Sequence, residues 1–340
     1  MTNRIFVDVV LDMQMGDSAK GKITHHLASG KGGKNYTHVI RGNGGGNAGH
    51  SIYHNGKKFI THIIPAGVFH GIRSVIGAGC VINVEGLIRE MHQLKSGGID
   101  VSPYLRIANN AHIVTTEHLQ EEHGETTVGT TRTGNGPAYR DKYARMGVRA
   151  ETAFKGTQFA DMLIDLHTEF YRSSDNPIRV LYEGAQGFYL DIDWGDYPYV
   201  TSSHCGIGGV LLNGFNHKQI DTVYGAVKCY ETYVGAKQFE DANNPLFAQI
   251  REIGQEYGST TARARQVNWM DIDRLRKACE MNGVDALVVS KVDVLRQVNV
   301  WNTIMGGEVQ QHGDEDKFKA FVEGQLKHQC VIWSDSPERI

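Results

Sequence analysis

The stretch Gln14-Met15-Gly16-Asp17-Ser18-Ala19-Lys20-Gly21-Lys22 gathers glycine, carboxylate and ammonium into one short segment. Gly16 and Gly21 permit close backbone approach while Lys20 and Lys22 supply charge, so a polyphosphate is the natural guest. The spacing of Gly16 and Gly21-Lys22 matches the first part of a phosphate-binding P-loop. Ile23, however, stands where that motif places a magnesium-binding hydroxyl, which speaks against a P-loop kinase or GTPase. A metal would then need another ligand. Asp17 is the obvious one, because a carboxylate among phosphates is repelled unless it holds the metal or takes a proton. The same spacing also fits an ordinary strand-to-helix turn with surface lysines.

Four more polar clusters fall at expected loop positions: residues 42–50, 129–145, 183–203 and 258–265. Ser259-Thr260-Thr261-Ala262-Arg263-Ala264-Arg265 offers hydroxyls and two guanidinium forks, a receptor for carboxylate or phosphate, or else a solvated loop. Ser290-Lys291-Val292-Asp293 has the shape of a base-recognition loop in which Asp293 accepts the N1 and N2 hydrogens of guanine; a strand followed by a capped helix fits it equally. His50, directly after a glycine loop, is a candidate acid or phosphoryl stabiliser, or a structural histidine.

Alternating strands and helices must carry these loops. Apolar runs predict buried strands at 5–11, 37–41, 75–82, 180–182, 222–227, 286–290 and 331–333. Helices are expected at 19–27, at 84–94 after an Asn83 cap, at 157–172 with Phe159, Met162, Leu163, Leu166 and Phe170 on one face, at 270–281 and at 318–326. Asn55-Gly56 between residues 51–54 and 57–60 signals a hairpin. Residues 101–130 give only weak, short strands, and 129–149 is a glycine-rich, basic stretch. The pattern predicts an α/β fold: one domain over 1–340, a large, mostly parallel, doubly wound sheet with helices on both faces and chemistry at the strand ends.

Composition narrows the partners. The 35 Lys and Arg are balanced by 38 Asp and Glu, which disfavours nucleic-acid binding through a basic face. Cys80, Cys205, Cys229, Cys279 and Cys330 are odd in number and scattered, pointing to free thiols in a reducing cytoplasm. No apolar run approaches the roughly 20 residues of a membrane helix. The N-terminus lacks a basic segment followed by an apolar signal region. A soluble, cytoplasmic protein is expected.

The motifs also carry a resemblance. Gly16-Asp17-Ser18-Ala19-Lys20-Gly21-Lys22, Asn47-Ala48-Gly49-His50, Gly136-Pro137-Ala138-Tyr139 with Asp141-Lys142 and Ala144-Arg145, Glu183-Gly184-Ala185-Gln186-Gly187, Tyr197-Pro198-Tyr199-Val200-Thr201-Ser202-Ser203, Thr260-Thr261 with Arg263 and Arg265, and Lys291 with Asp293 together resemble adenylosuccinate synthetase. They run in order from the first strand nearly to the C-terminus. The resemblance implies the P-loop-like architecture of that family and its reaction. There a nucleoside triphosphate phosphorylates O6 of a purine nucleotide, and the amine of L-aspartate then displaces the phosphate from C6.

By the same resemblance, Asp17 would take the N1 proton and, with Gly49, hold Mg2+. His50, Lys20 and Gln186 would complete the catalytic set. The donor triphosphate would meet Gly16, Ser18, Ala19, Lys20, Gly21, Lys22, Gly49, His50 and Ser51, with Lys291, Asp293, Ser334 and Ser336 at its base. The acceptor would meet Asp17, Ser18, Asn47, Thr130, Thr131, Gln186, Thr201, Val234 and Arg263, with Arg145 reaching its phosphate from the neighbouring subunit of a homodimer. Thr260, Thr261, Arg263 and Arg265 would clamp the aspartate.

Departures from the family pattern bear on specificity. Ser18-Ala19 replaces Glu-Gly, Arg132-Thr133 replaces Gly-Arg, Lys237-Gln238-Phe239-Glu240-Asp241 replaces Gly-Pro-Phe-Pro-Thr-Glu, and Ser334-Asp335-Ser336-Pro337 stands where a glycine backs the donor's guanine. These departures and the short chain resemble the phage-encoded branch, which accepts dGMP and makes 2-aminoadenylosuccinate for diaminopurine DNA, here with ATP favoured as donor. The alternatives are an ordinary synthetase using IMP and GTP, and a non-catalytic nucleotide-binding regulator.

Overall fold

The computed structural model describes residues 5–124, 127–172, 176–258, 262–326, 329–338 and 340. Its centre is a ten-stranded sheet running, edge to edge, Cys330–Trp333, Ala286–Ser290, Ile220–Lys228, Ile5–Asp12, Ile178–Glu183, His38–Gly44, Arg73–Asn83, Leu105–Ala108 and Leu163–Ile164, with His112–Val114 paired to the end of Arg73–Asn83. Every pairing in it is parallel.

The strands are apolar on both sides because both faces are covered, as a parallel sheet requires. Successive residues point to opposite faces. Thus Val9, Ile40, Val180, Val227 and Val289 join one apolar core, while their neighbours Val10, Val39, Leu181, Ala226 and Val288 join another with Ile23 and Leu27 of the helix Lys20–Ala28.

A second sheet orders Tyr230–Tyr233, Gln266–Asp271, Trp301–Met305 and Glu308–His312. The Asn55-Gly56 hairpin forms as expected, with both residues at positive φ, joining His50–His54 to Lys57–Thr61. Asn83 caps the helix Val84–Ser96 through a hydrogen bond from the Gly86 amide.

Two expectations fail for local reasons. No single helix spans 157–172. Leu163–Ile164 pairs instead with Ile107–Ala108 at the sheet edge, and Asp165 accepts the Thr168 amide to start a new helix at Leu166–Tyr171. Met270 belongs to a strand, because Asp271 accepts the Asp273 and Arg274 amides and delays the helix to Ile272–Asn282. Between 101 and 149 the structure also contains the helices Thr116–His123 and Asn135–Ala144. Cys80, Cys205, Cys229 and Cys279 are buried free thiols and Cys330 is an exposed one. Among the described residues, no helix is long and apolar enough to cross a membrane.

Candidate active site

Parallel strands present their C-terminal ends along one edge, and ligands of such sheets bind there. Several of these ends bear a buried charge: Asp12, Arg41, Glu183 and Lys228. The loop after the first strand is built around Asp12. Its carboxylate accepts the backbone amides of Gln14 (2.9 Å), Gly16 (3.3 Å) and Ser18 (3.0 Å) and the Lys20 ammonium (3.0 Å). The loop turns through positive φ at Gly16, Asp17 and Ala19, where Ala19 takes on strain of about 1 kcal/mol that a glycine avoids. Gly21 has a different requirement, since a Cβ there would lie 2.6 Å from the Cβ of His50. We expect Asp12→Ala to cost ~3 kcal/mol, because it leaves the buried Lys20 ammonium without its counter-charge. Urea unfolding checks this.

His50 is fixed by partners that sequence reasoning passed over. Its Nδ1 lies 2.5 Å from Glu183, which also takes Arg41 at 3.0 Å and the Ala66 amide at 2.8 Å. Nδ1–H therefore donates to Glu183, and Nε2 accepts from Arg41 at 3.1 Å. Burial, with Arg41 alongside, pulls His50 down to about 4. Burial resists ionisation of Glu183, but Arg41 and the His50 hydrogen bond bring it to about 2. Unfolded His50 protonates near pH 6.5, so below that the unfolded state binds the extra proton. Stability is present above about 6.5 and lost as pH falls towards 4, by up to roughly 3 kcal/mol for this group. Urea midpoints measured from neutral pH down to about pH 5 should fall accordingly.

A second charged chain lies beside the loop. Asp17 accepts Arg265 at 2.7 Å, Arg265 continues to Glu256 at 2.5 Å, and Glu256 also takes Lys228 at 2.9 Å and the Tyr230 hydroxyl at 2.7 Å. Burial works against ionising Asp17, yet Arg265, Lys228 and Lys20 outweigh it and hold the carboxyl below its ordinary range. Lys22 donates to Ser334 Oγ (2.7 Å) and the Ser336 carbonyl (2.9 Å), and burial draws it down to about 8.

Two cavities flank these groups. One, of about 370 Å³, brings together Asp17, Ala19, Lys20, Gly21, Lys22, Gly49, His50, Ser51, Lys291, Asp293 and Ser336 from four separate chain segments. The other, of about 630 Å³, brings together Asn47, Thr130, Thr131, Gln186, Thr201 and Val234. Among the described residues Gln186 Nε2 finds no hydrogen-bond partner, and neither do the two amide atoms of Asn135, a further lining residue.

Ser18, Gly16 and Ser334 line neither cavity. Ser18 Oγ instead lies 3.3 Å from both Gln14 Oε1 and the Gly16 carbonyl. Arg263 ties down the second cavity's rim through the carbonyls of Gly129 (2.9 Å) and Thr130 (3.3 Å). Arg145 lies on a separate basic depression with Lys142 and Arg149. Thr260 and Thr261 fall outside the described residues.

Asp17 and Gly49 share the first cavity, and a carboxylate paired with a peptide carbonyl is an all-oxygen set that suits Mg2+.

The sequence matches the profile of adenylosuccinate synthetase over residues 9–171 and 151–325. It is 34% identical to the adenylosuccinate synthetase of Salinibacter ruber, covering 86% of this chain and 79% of that one. Identity is 37% to the enzyme of Listeria welshimeri, over 84% of this chain and 77% of that one. The chain belongs to the adenylosuccinate synthetase family. Adenylosuccinate synthetases are ligases that join aspartate to a purine nucleotide with Mg2+ and a nucleoside triphosphate, and this chain is an enzyme of that type.

The fold agrees. The fully ligated adenylosuccinate synthetase of Plasmodium falciparum superposes with a TM-score of 0.83 at 28% identity, covering 99% of this chain and 98% of that one. The cyanophage S-2L succinoaminodeoxyadenylate synthetase, solved with dGMP and with dATP as an energy donor, gives 0.74 at 20% identity over 98% and 93%, a likeness of fold.

Proposed function

We propose that the enzyme joins L-aspartate to C6 of dGMP through a 6-phosphoryl intermediate, with ATP as donor, giving 2-amino-2′-deoxyadenylosuccinate, ADP and phosphate. The observation that carries the two-substrate reading is the pair of cavities. Lys20, Lys22, His50 and Asp17 line one of them, and Gln186, whose Nε2 has no hydrogen-bond partner among the described residues, lines the other.

In the first step the purine O6 attacks the γ-phosphorus, the bond to the β-phosphate oxygen breaks, and the N1 proton passes to Asp17. That carboxylate is held ionised and able to accept it. Lys20 and Lys22 stabilise the transferred charge, and His50, its Nδ1–H held by Glu183, releases Arg41 and, once protonated at Nε2, donates to the leaving phosphate oxygen. Mg2+ held by Asp17 and Gly49 would neutralise phosphate charge. In the second step the aspartate nitrogen bonds to C6 as the C6–O bond breaks and phosphate leaves. Arg263 and Arg265, with Thr260 and Thr261, receive the aspartate carboxylates, Arg265 giving up Asp17 to do so. Arg145 completes the acceptor's phosphate site from the second subunit of a homodimer.

Guanine carries the same O6 and N1 proton as hypoxanthine, so the chemistry transfers, but its 2-amino group needs room. Ser18 supports that reading, because the family's glutamate is replaced by a small side chain folded back onto Gln14 and Gly16. At the donor base, Ser336 and Pro337 line the wall where the family has a glycine, which favours adenine over guanine. The cyanophage enzyme of the same fold, solved with dGMP and dATP, fits this choice. The 34–37% identical relatives named adenylosuccinate synthetase favour a second reading, IMP with GTP.

Phosphate release with aspartate and Mg2+ decides between the two readings, with dGMP and IMP compared as acceptors and ATP and GTP as donors. The dGMP–ATP pair is expected to have the highest kcat/KM, and IMP with GTP exceeding it would overturn the proposal.

A further inference from the structure

Three histidines from three separate elements meet beside a depression that shares Tyr53 with the first cavity. His25 lies on the helix Lys20–Ala28, His54 ends the strand His50–His54, and His70 ends the 3-10 helix Ala66–His70. One ring nitrogen of each lies within 4.8 Å of those of the other two. His25 Nε2 and His54 Nδ1 stand 3.1 Å apart. The His25 ring centroid is 4.5 Å from that of His70 and 5.3 Å from that of His54, and His54 and His70 are 5.6 Å apart. The cluster opens onto a depression of about 420 Å³.

Packing alone gives an incomplete account of this arrangement. A hydrogen bond satisfies the His25–His54 pair, but among the described residues His70 Nε2 is buried without a partner. Each neutral ring keeps one N–H, so ligation by both His25 and His54 requires the proton between His25 Nε2 and His54 Nδ1 to move to a ring nitrogen that faces away from the ion. Three neutral imidazoles around one point form a donor set for a borderline transition metal. Tetrahedral zinc, with Zn–N of about 2.0–2.1 Å, needs nitrogens roughly 3.4 Å apart, so the three rings would close in on the ion from the 4.8 Å within which they stand. Mg2+, which takes oxygen ligands, is a poor competitor here.

We propose that His25, His54 and His70 form a binding site for Zn2+ or a kindred transition dication, with the fourth position open to the depression. The ion would cross-link the helix that starts with Lys20 and Lys22 to the strand that starts with His50, two walls of the donor cavity. It therefore stabilises the folded chain by mass action and stiffens the triphosphate site.

The test uses untagged, chelator-stripped protein titrated with Zn2+ against a chromogenic chelator, with Co2+ absorption as a second reading of geometry. One equivalent should bind, Co2+ should give a tetrahedral spectrum, and the melting temperature should rise with Zn2+. His54→Gln and His70→Ala should each weaken binding more than the roughly 10–100-fold that an outer-shell partner costs. His167→Gln, at an exposed position, should leave it unchanged. Melting of each variant without metal separates lost ligation from lost folding, and His54, on the hairpin strand, is the safer of the two. Binding well below one equivalent, or undiminished in folded His54→Gln, would overturn the proposal.

Discussion

Asp17→Asn is expected to lower turnover by about 10³-fold or more while leaving the fold intact, the range in which general bases act. The asparagine keeps the size and the loop backbone but cannot take the N1 proton or present a charge to the metal. Its cost in stability should stay within about 1 kcal/mol, because the ion pair it breaks, Asp17 with Arg265, is one-third exposed on the carboxylate side. Arg265 retains Glu256, so no buried cation is orphaned. Single-turnover phosphate transfer alongside urea unfolding checks both halves. A variant that folds normally and still transfers phosphate at close to the wild-type rate would remove Asp17 from the chemistry.

The second large effect is expected at Glu183, a positioning residue. Glu183→Gln leaves Arg41 buried without its counter-charge and should cost about 3–5 kcal/mol. It also loses the carboxylate charge and one of the two oxygens that accept from His50, Arg41 and the Ala66 amide, which loosens the His50 ring, so kcat should fall by about 10²-fold with little change in acceptor KM. A purely structural role would lower stability without that kcat–KM split. Glu183→Asp should recover part of the kcat. Combining Glu183→Gln with His50→Asn should cost less than the two single losses together, since both act through one ring. Losses that simply add would contradict the coupling.

These predictions rest on residues that the sequence showed unevenly. The glycine loops, the Asn55-Gly56 hairpin and the apolar parallel strands were legible because backbone preference and two-sided burial leave direct marks in residue type. The turn at 14–22 was legible for the same reason, and Arg265 of the 258–265 cluster lies beside it through its ion pair with Asp17. Asp12, Arg41 and Lys228 were not, since each reads locally as one polar residue at the end of an apolar run. Only the sheet shows that parallel strands deliver all of them to one edge. The Arg265–Glu256–Lys228 chain was hidden for a related reason, because it joins segments far apart in sequence. The missed break at Asp165 shows that an amphipathic pattern over 157–172 can be satisfied by an edge strand followed by a short capped helix. Ser18 was expected at the ligand, but nothing in the sequence indicated that its hydroxyl turns back onto Gln14 and Gly16.

The central claim is that phosphate passes to the purine before aspartate reacts, with Asp17 taking the proton. Positional isotope exchange in the donor triphosphate tests it most directly. A βγ-bridge oxygen-18 label is followed in the presence of Mg2+ and acceptor nucleotide without aspartate. The label should scramble into the non-bridging β positions with wild-type enzyme, and scrambling should vanish with Asp17→Asn. No scrambling until aspartate is added, or scrambling that persists in Asp17→Asn, would contradict the account.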